Sequence, residues 1–346
     1  AIAGSMSLLY DRLPKLVFLD TVSDERMTAV IRKLTRLPSK EDFAIICVSK
    51  SGTTTEAIAN TESLWQALNK HFGDMSDRIC VITGEGTKLW KVAREKKVKR
   101  ISIPEPVGGR FSVLSAVGLL PLLLGKIDIN KLCHGARDAV TAGISEDLDQ
   151  NHSLVSAALT HIHAQKGRRI HNSFIFATKL EALGKWYRQL MGESIGKEHD
   201  ADGKTVHAGI TPIVSIGSTD LHSMAQLYWG GPDDKYTNIL TSFKGNINEV
   251  PNQLKMPGLV DHINGKSFEE IIEAIAGGVE SAYLKKKRPF AKIDLEGIGE
   301  YELGFYMQFR MLEMMYLAKL MNLNAFDQPA VELYKEGTRK LLEGIS

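Results

Sequence analysis

The stretch Phe43-Ala44-Ile45-Ile46-Cys47-Val48-Ser49-Lys50-Ser51-Gly52-Thr53-Thr54-Thr55-Glu56 decides how this 346-residue chain is read. Phe43–Ser49 is a short apolar run with the look of a buried parallel strand. A helical pattern, Thr54–Phe72, follows it. Between the two, five hydroxyls and Gly52 crowd into seven residues. Open α/β sheets bind ligands at this place, beyond the carboxyl ends of their strands. The free N–H groups of a helix start favour an anion, and a glycine lets the backbone approach it closely. A phosphomonoester is the implied ligand. The Gly-x4-Gly-Lys spacing of a Walker loop is missing. The structural alternative is a hydroxyl-rich capping loop that binds nothing.

Working outward, the same rhythm recurs. Strands are expected at Leu16–Leu19, Ile79–Thr83 and Arg100–Ile103, and helices at Asp24–Leu37, capped by Ser23, and at Lys88–Glu95. Such βαβα alternation predicts a parallel, doubly wound sheet. A helical stretch from Phe111 to about Ser145 interrupts it. The pattern then resumes with helix Leu154–Lys166, strand Ser173–Ala177, helix Leu180–Met191, strand Ile213–Ile216, helix His222–Trp229 and strand Asn238–Ser242. The expected division is a first α/β domain over 1–125, a helical linker over 126–150, a second α/β domain over 151–266 and a helical C-terminal region over 267–346. Within that last region, Phe305, Met307, Phe309, Met311, Met314, Met315 and Leu317 predict core or subunit-interface packing.

Composition narrows the function. Lys and Arg total 43 against 41 Asp and Glu, a balance of +2, which disfavours a dedicated nucleic-acid binder. The basic run Lys285-Lys286-Lys287-Arg288 reads as a solvated helix end. Three scattered cysteines, Cys47, Cys80 and Cys133, make neither a disulfide framework nor a metal cluster and fit a reducing, cytoplasmic setting. The longest apolar stretch, Phe111–Gly125, falls short of the roughly 20 residues a membrane span needs.

Four further positions suggest acid–base chemistry. Arg110, in Gly108-Gly109-Arg110-Phe111-Ser112, sits after a tight turn near a helix start and could clamp a developing oxyanion. Glu193, in Gly192-Glu193-Ser194-Ile195-Gly196-Lys197, follows a helix expected to end near Gly192, a setting suited to a general base. His222 falls in the first turn of its helix if Asp220 or Thr219 caps it. The face formed by Leu221, Met224, Ala225 and Tyr228 is apolar. Lys335 lies about two turns beyond Gln328, in a helix opened by Pro329. Taken singly, each has a plain structural alternative: a surface Arg, a surface Glu, a packing His, a solvated Lys.

Taken in order, these motifs resemble the glucose-6-phosphate isomerase family over about residues 1–340. The resemblance implies two SIS-type, flavodoxin-like parallel-sheet sandwiches with a helical C-terminal region, a homodimer, and no metal or cofactor. It implies interconversion of glucose 6-phosphate and fructose 6-phosphate. Ser49, Lys50 through its backbone, Ser51, Thr53, Thr54 and Gln328 would hold the phosphate. His222, donated across the dimer interface, and Lys335 would assist ring opening. Glu193 would carry the proton between C2 and C1, and Arg110 would stabilise the cis-enediolate. Two other readings stand beside it: a non-catalytic SIS-type sugar-phosphate sensor, and an isomerase of another sugar phosphate such as mannose 6-phosphate. The family's opening Gly-Ile-Gly-Gly-Ser is Ala1-Ile2-Ala3-Gly4-Ser5 here, and Met6–Leu13 is shorter than the helix the family has there. The expectation is that the chain starts inside its first domain.

Overall fold

The computed structural model describes Ile2 and residues 15–243 and 248–344. Apart from Ile2, the turn expected at Ala1–Ser5 and the segment Met6–Leu13 lie outside them. Residues 15–129 form one compact unit, and Ile2 with the described residues from Asn130 onward another.

The first unit is a three-stranded parallel sheet in the order β1 (Ile45–Ser49), β2 (Ile79–Gly84), β3 (Lys99–Ile103). Helices α1 (Asp24–Leu34), α2 (Thr55–Phe72) and α3 (Lys88–Glu95) supply apolar side chains to one core with the sheet. Alternation explains why: Ile45 and Cys47 of β1, with Ile79 and Val81 of β2, point into it, against Leu64 and Leu68 of α2 and Ala93 of α3. The opposite face carries a groove of about 740 Å³ lined by Cys80, Ile101, Leu120 and Leu124, which touches none of the predicted site residues.

Two expectations are corrected here. Leu16–Leu19 has no regular secondary structure and is not a strand. Side chains take two of its carbonyls: Arg26 Nη2 donates to Phe18 O at 2.5 Å and Asn60 Nδ2 to Leu19 O at 3.2 Å, and Asn60 also donates to Thr21 O just beyond, at 3.1 Å. The helical stretch expected from Phe111 to Ser145 is three elements: a 3₁₀ turn at Gly109–Leu114, α4 (Ala116–Leu124) and α5 (Ile129–Gly143). Ser115 breaks the first from the second, with extended backbone and a hydroxyl that accepts from Val117 N at 3.3 Å.

The second unit has a four-stranded parallel sheet in the order β7 (Thr211–Ile216), β4 (Ile170–Ile175), β8 (Lys235–Thr241), β9 (Phe290–Asp294). Helices α6 (His152–Gln165), α7 (Glu181–Ile195) and α11 (Glu300–Leu320) cover one face. On the other, the short helices α8 (Thr219–Ser223) and α9 (Ala225–Gly230), with α10 (Phe268–Lys285), pack around Phe174, Ile239 and Tyr283. A hairpin of β5 (Lys197–His199) and β6 (Thr205–Ala208) follows α7, and α12 (Glu332–Leu342) ends the described chain.

The 267–346 region is therefore not wholly helical: β9 pairs in parallel with β8 at the sheet's edge. Five residues with one basic and one acidic side chain are too few to show a period. Strands β4 and β8 also begin three residues earlier than expected. Of the added residues, His171, Asn172 and Thr237 read as non-strand because they are polar, yet all three are buried. The apolar face of α11 is core as expected, with Met307, Met311, Met314 and Leu317 at 3% exposure or less. Among the described residues, no helix is long and apolar enough to cross a membrane.

Candidate active site

The predicted site residues divide between the two units. Ser49, Lys50, Ser51, Thr53, Thr54 and Arg110 belong to the first; Glu193, His222, Gln328 and Lys335 belong to the second.

In the first unit the hydroxyl-rich loop lies where β1 ends and α2 begins. Ser49 is 3% exposed, and its Oγ accepts from Thr54 N at 3.2 Å and lies 2.8 Å from Thr54 Oγ1. Ser51 Oγ accepts from Thr53 N at 3.2 Å and from Thr53 Oγ1 at 3.1 Å. Gly52 N donates to Ser49 O at 3.1 Å, which closes the turn. The side chains of Lys50, Ser51, Thr53, Thr54 and Thr55 stay exposed around this frame. Gly52 has φ +69°, and a Cβ there would meet Thr87 Oγ1 at 2.9 Å and the Leu89 Cβ at 3.0 Å. Two separate constraints thus require glycine. The loop can present hydroxyls, backbone N–H groups and the start of an 18-residue helix to an anion.

Arg110 is the second residue of the 3₁₀ turn Gly109–Leu114 and is 2% exposed. Its guanidinium carbon lies 5.4 Å from the centre of the Phe111 ring. Ser112 Oγ donates to Gly109 O at 2.7 Å and so fixes the turn that carries it.

In the second unit Glu193 lies within the last turn of α7, which runs on to Ile195 and does not stop near Gly192. It is half-buried, and Gln189 Nε2 donates to its Oε1 at 3.0 Å. Its backbone carbonyl accepts from Lys197 Nζ at 2.9 Å. The same ammonium pairs with Asp327 Oδ1 at 2.8 Å and donates to Asp327 O. Glu193 and the Asp327-Gln328 segment are thus brought together through Lys197. Gln328 immediately precedes the 3₁₀ turn Pro329–Val331, with Pro329 at its start, as expected.

His222 departs from expectation. It lies in the last turn of the five-residue α8 and not in the first turn of a helix running to Trp229. Asp220 is the cause: its Oδ2 accepts from Ile216 N and its Oδ1 from Ser223 Oγ, both at 2.7 Å, winding the chain tightly before a break at Met224. Leu221, Met224 and Tyr228 join the core as their spacing predicts, and His222 is left exposed. Lys335 is on α12, with its Nζ 2.7 Å from Glu332 Oε1 one turn earlier. That contact holds the Glu332 carboxyl below the usual carboxylate range.

Residues 8–345 match the family profile described as Phosphoglucose isomerase. This chain belongs to the phosphoglucose isomerase family. It is 33% identical to the glucose-6-phosphate isomerase of Carboxydothermus hydrogenoformans over 333 residues, 95% of this chain and 71% of that protein. To the glucose-6-phosphate isomerase of Methanocaldococcus jannaschii it is 30% identical over 346 residues, covering 99% of this chain and 82% of that one. A solved hypothetical protein from Thermus thermophilus superposes with a TM-score of 0.87 at 30% identity, covering 99% and 81% of the two chains.

As a phosphoglucose isomerase family chain, it carries site features that the motifs alone left unassigned. Thr87 and Leu89 back Gly52 from 35 and more residues away, a contact no local spacing announces. Lys197 ends the motif that carries Glu193 and Asp327 directly precedes Gln328, but nothing in their spacing pairs them.

Proposed function

We infer that this chain is an aldose–ketose isomerase that interconverts D-glucose 6-phosphate and D-fructose 6-phosphate. The observation that carries this reading is family membership over nearly the whole chain, with relatives of that printed activity at 30–33% identity. The local geometry supports it. A proton α to a carbonyl is weakly acidic, so its removal needs a base and a fixed cation beside the forming oxyanion. Glu193, oriented by Gln189, is the base that takes the proton from one carbon and returns it to the next. Arg110 is the cation opposite the cis-enediolate. Ser49, Ser51, Thr53 and Thr54, the Lys50 backbone and Gln328 hold the phosphate. His222 and Lys335 assist ring opening, His222 from the partner subunit of a homodimer. Three free cysteines fit a reducing, cytoplasmic setting.

A coupled assay with fructose 6-phosphate, run on the wild type and on Glu193→Gln, tests this. Wild-type turnover that falls by about a thousandfold or more in the variant is expected for loss of the proton carrier. Equal turnover in the two proteins would remove Glu193 from its role. A wild type that binds the sugar phosphate without turning it over would reject the isomerase reading.

A further inference from the structure

Lys197 is a charged residue with a 5% exposed side chain, and the proton-transfer chemistry above gives it no task. An ammonium has three N–H bonds. Its three acceptors are Glu193 O, Asp327 O and Asp327 Oδ1. One carboxylate balances the charge and two carbonyls complete the donors, as a buried ion requires. Capping the end of α7 would need just the Glu193 carbonyl. The bonds to Asp327, 130 residues away in sequence, do more: they join that helix end to the segment that continues into Gln328.

We propose that Lys197 is a positioning residue, a clamp that keeps the turn bearing Glu193 at a set distance from the segment bearing Gln328. The proposal rests on the isomerase reading, in which one residue moves the proton and the other holds the phosphate of the same substrate. The substrate's chain length sets the distance between its phosphate and its C1–C2 bond, so base and phosphate ligand must keep register with it. A displacement of about 1 Å in such a site can cost on the order of a hundredfold in rate. The β5–β6 hairpin is tied to the chain beyond α11 independently of Lys197: Ala201 N donates to Asn322 O at 2.8 Å and Asn322 Nδ2 to Asp202 Oδ2 at 2.7 Å. Those ties remain when the ammonium is removed.

The test compares the full-length wild type with Lys197→Met, Lys197→Arg and Asp327→Asn. Glucose 6-phosphate deuterated at C2 is the substrate, and two quantities are read: KM, and the fraction of label carried from C2 to C1 against that lost to water. Neither depends on how much of a preparation is folded, so a merely structural lysine would leave both unchanged. In Lys197→Met, KM should rise by about tenfold and the transferred fraction should fall, with kcat reduced. Lys197→Arg should recover part of both, and Asp327→Asn should resemble Lys197→Met. In a Gln328→Ala background, the KM effect of Lys197→Met should shrink, because the group it positions is already gone. Wild-type KM and label transfer in Lys197→Met would overturn the clamp while leaving the isomerase reading intact. A wild type without isomerase activity would overturn that reading, and the clamp as a catalytic device with it.

Discussion

Arg310 Nη1 lies 2.9 and 2.8 Å from the two carboxylate oxygens of Glu313 inside the second unit, with the side chains 1% and 0% exposed. Both are on α11. Tyr187 donates to Glu313 Oε2 at 2.9 Å and Ser156 to Oε1 at 2.5 Å, while Arg310 reaches Asn238 Oδ1 at 3.1 Å. The pair thus binds α6, α7 and β8 to one helix. Removing one member leaves the other charged, buried and unpaired, which costs about 3–5 kcal/mol. Glu313→Gln should lower unfolding stability by that order in denaturant titration. Arg310→Met with Glu313→Leu should lose clearly less, because no stranded charge remains.

Gly135 and Gly304 make a second close relationship. A Cβ at Gly304 would stand 1.9 Å from Leu132 O, and one at Gly135 2.0 Å from Tyr301 O. Helices α5 and α11 therefore cross backbone against backbone. Alanine gains up to about 1 kcal/mol of helix propensity over glycine. Prying the helices apart costs more, typically about 1–3 kcal/mol. Gly304→Ala should thus be destabilising in thermal unfolding, and a stabilised variant would contradict the close crossing.

His171 is fully buried beside Tyr187, with its Nε2 3.0 Å from Asn238 Oδ1. Burial, and then the Arg310 charge, push its pKa down from 6.5 to about 4. Below pH 6.5 the unfolded chain therefore takes up this proton before the folded chain does. Stability from this site is complete above pH 6.5 and is lost as pH falls toward 4, by about 3 kcal/mol in all. Urea titrations at pH 7.5, 6, 5 and 4 should show the decline, and His171→Gln should flatten it.

Gly52→Ala would place a side chain against Thr87 and Leu89 at a left-handed backbone position. The conformation alone costs about 1–2 kcal/mol. The turn should open, and KM for fructose 6-phosphate should rise at least tenfold while the far-ultraviolet circular dichroism stays that of the wild type. Thr87→Ala should relieve part of the clash in the double variant, an outcome the loop sequence alone would not anticipate.

Much of this architecture is legible in local stretches of sequence. The run Phe43–Val48, the hydroxyls after it and the helix from Thr55 are neighbours along the chain, so spacing and propensity are enough to read a strand, a hydroxyl-rich loop and a helix. The core face of α11 is equally plain, because Met307, Met311 and Met314 repeat at helical spacing. Short-range rules fail wherever a distant partner decides. Leu16–Leu19 has strand composition, but Arg26 and Asn60 claim two of its carbonyls. His171 looks too polar for a buried strand until Asn238 and Tyr187 supply its surroundings. The helix at His222 is broken by the bonds of Asp220.

By itself the sequence determined the α/β class, the order of the motifs and the family they resemble, since these rest on neighbours a few residues apart. The tertiary structure alone decided that Lys197 joins Glu193 to Asp327, that Thr87 backs Gly52, and that an ion pair sits in the middle of a core. Each of these depends on charges, donors or backbone atoms far apart in the chain, and a linear pattern carries no distance between such groups.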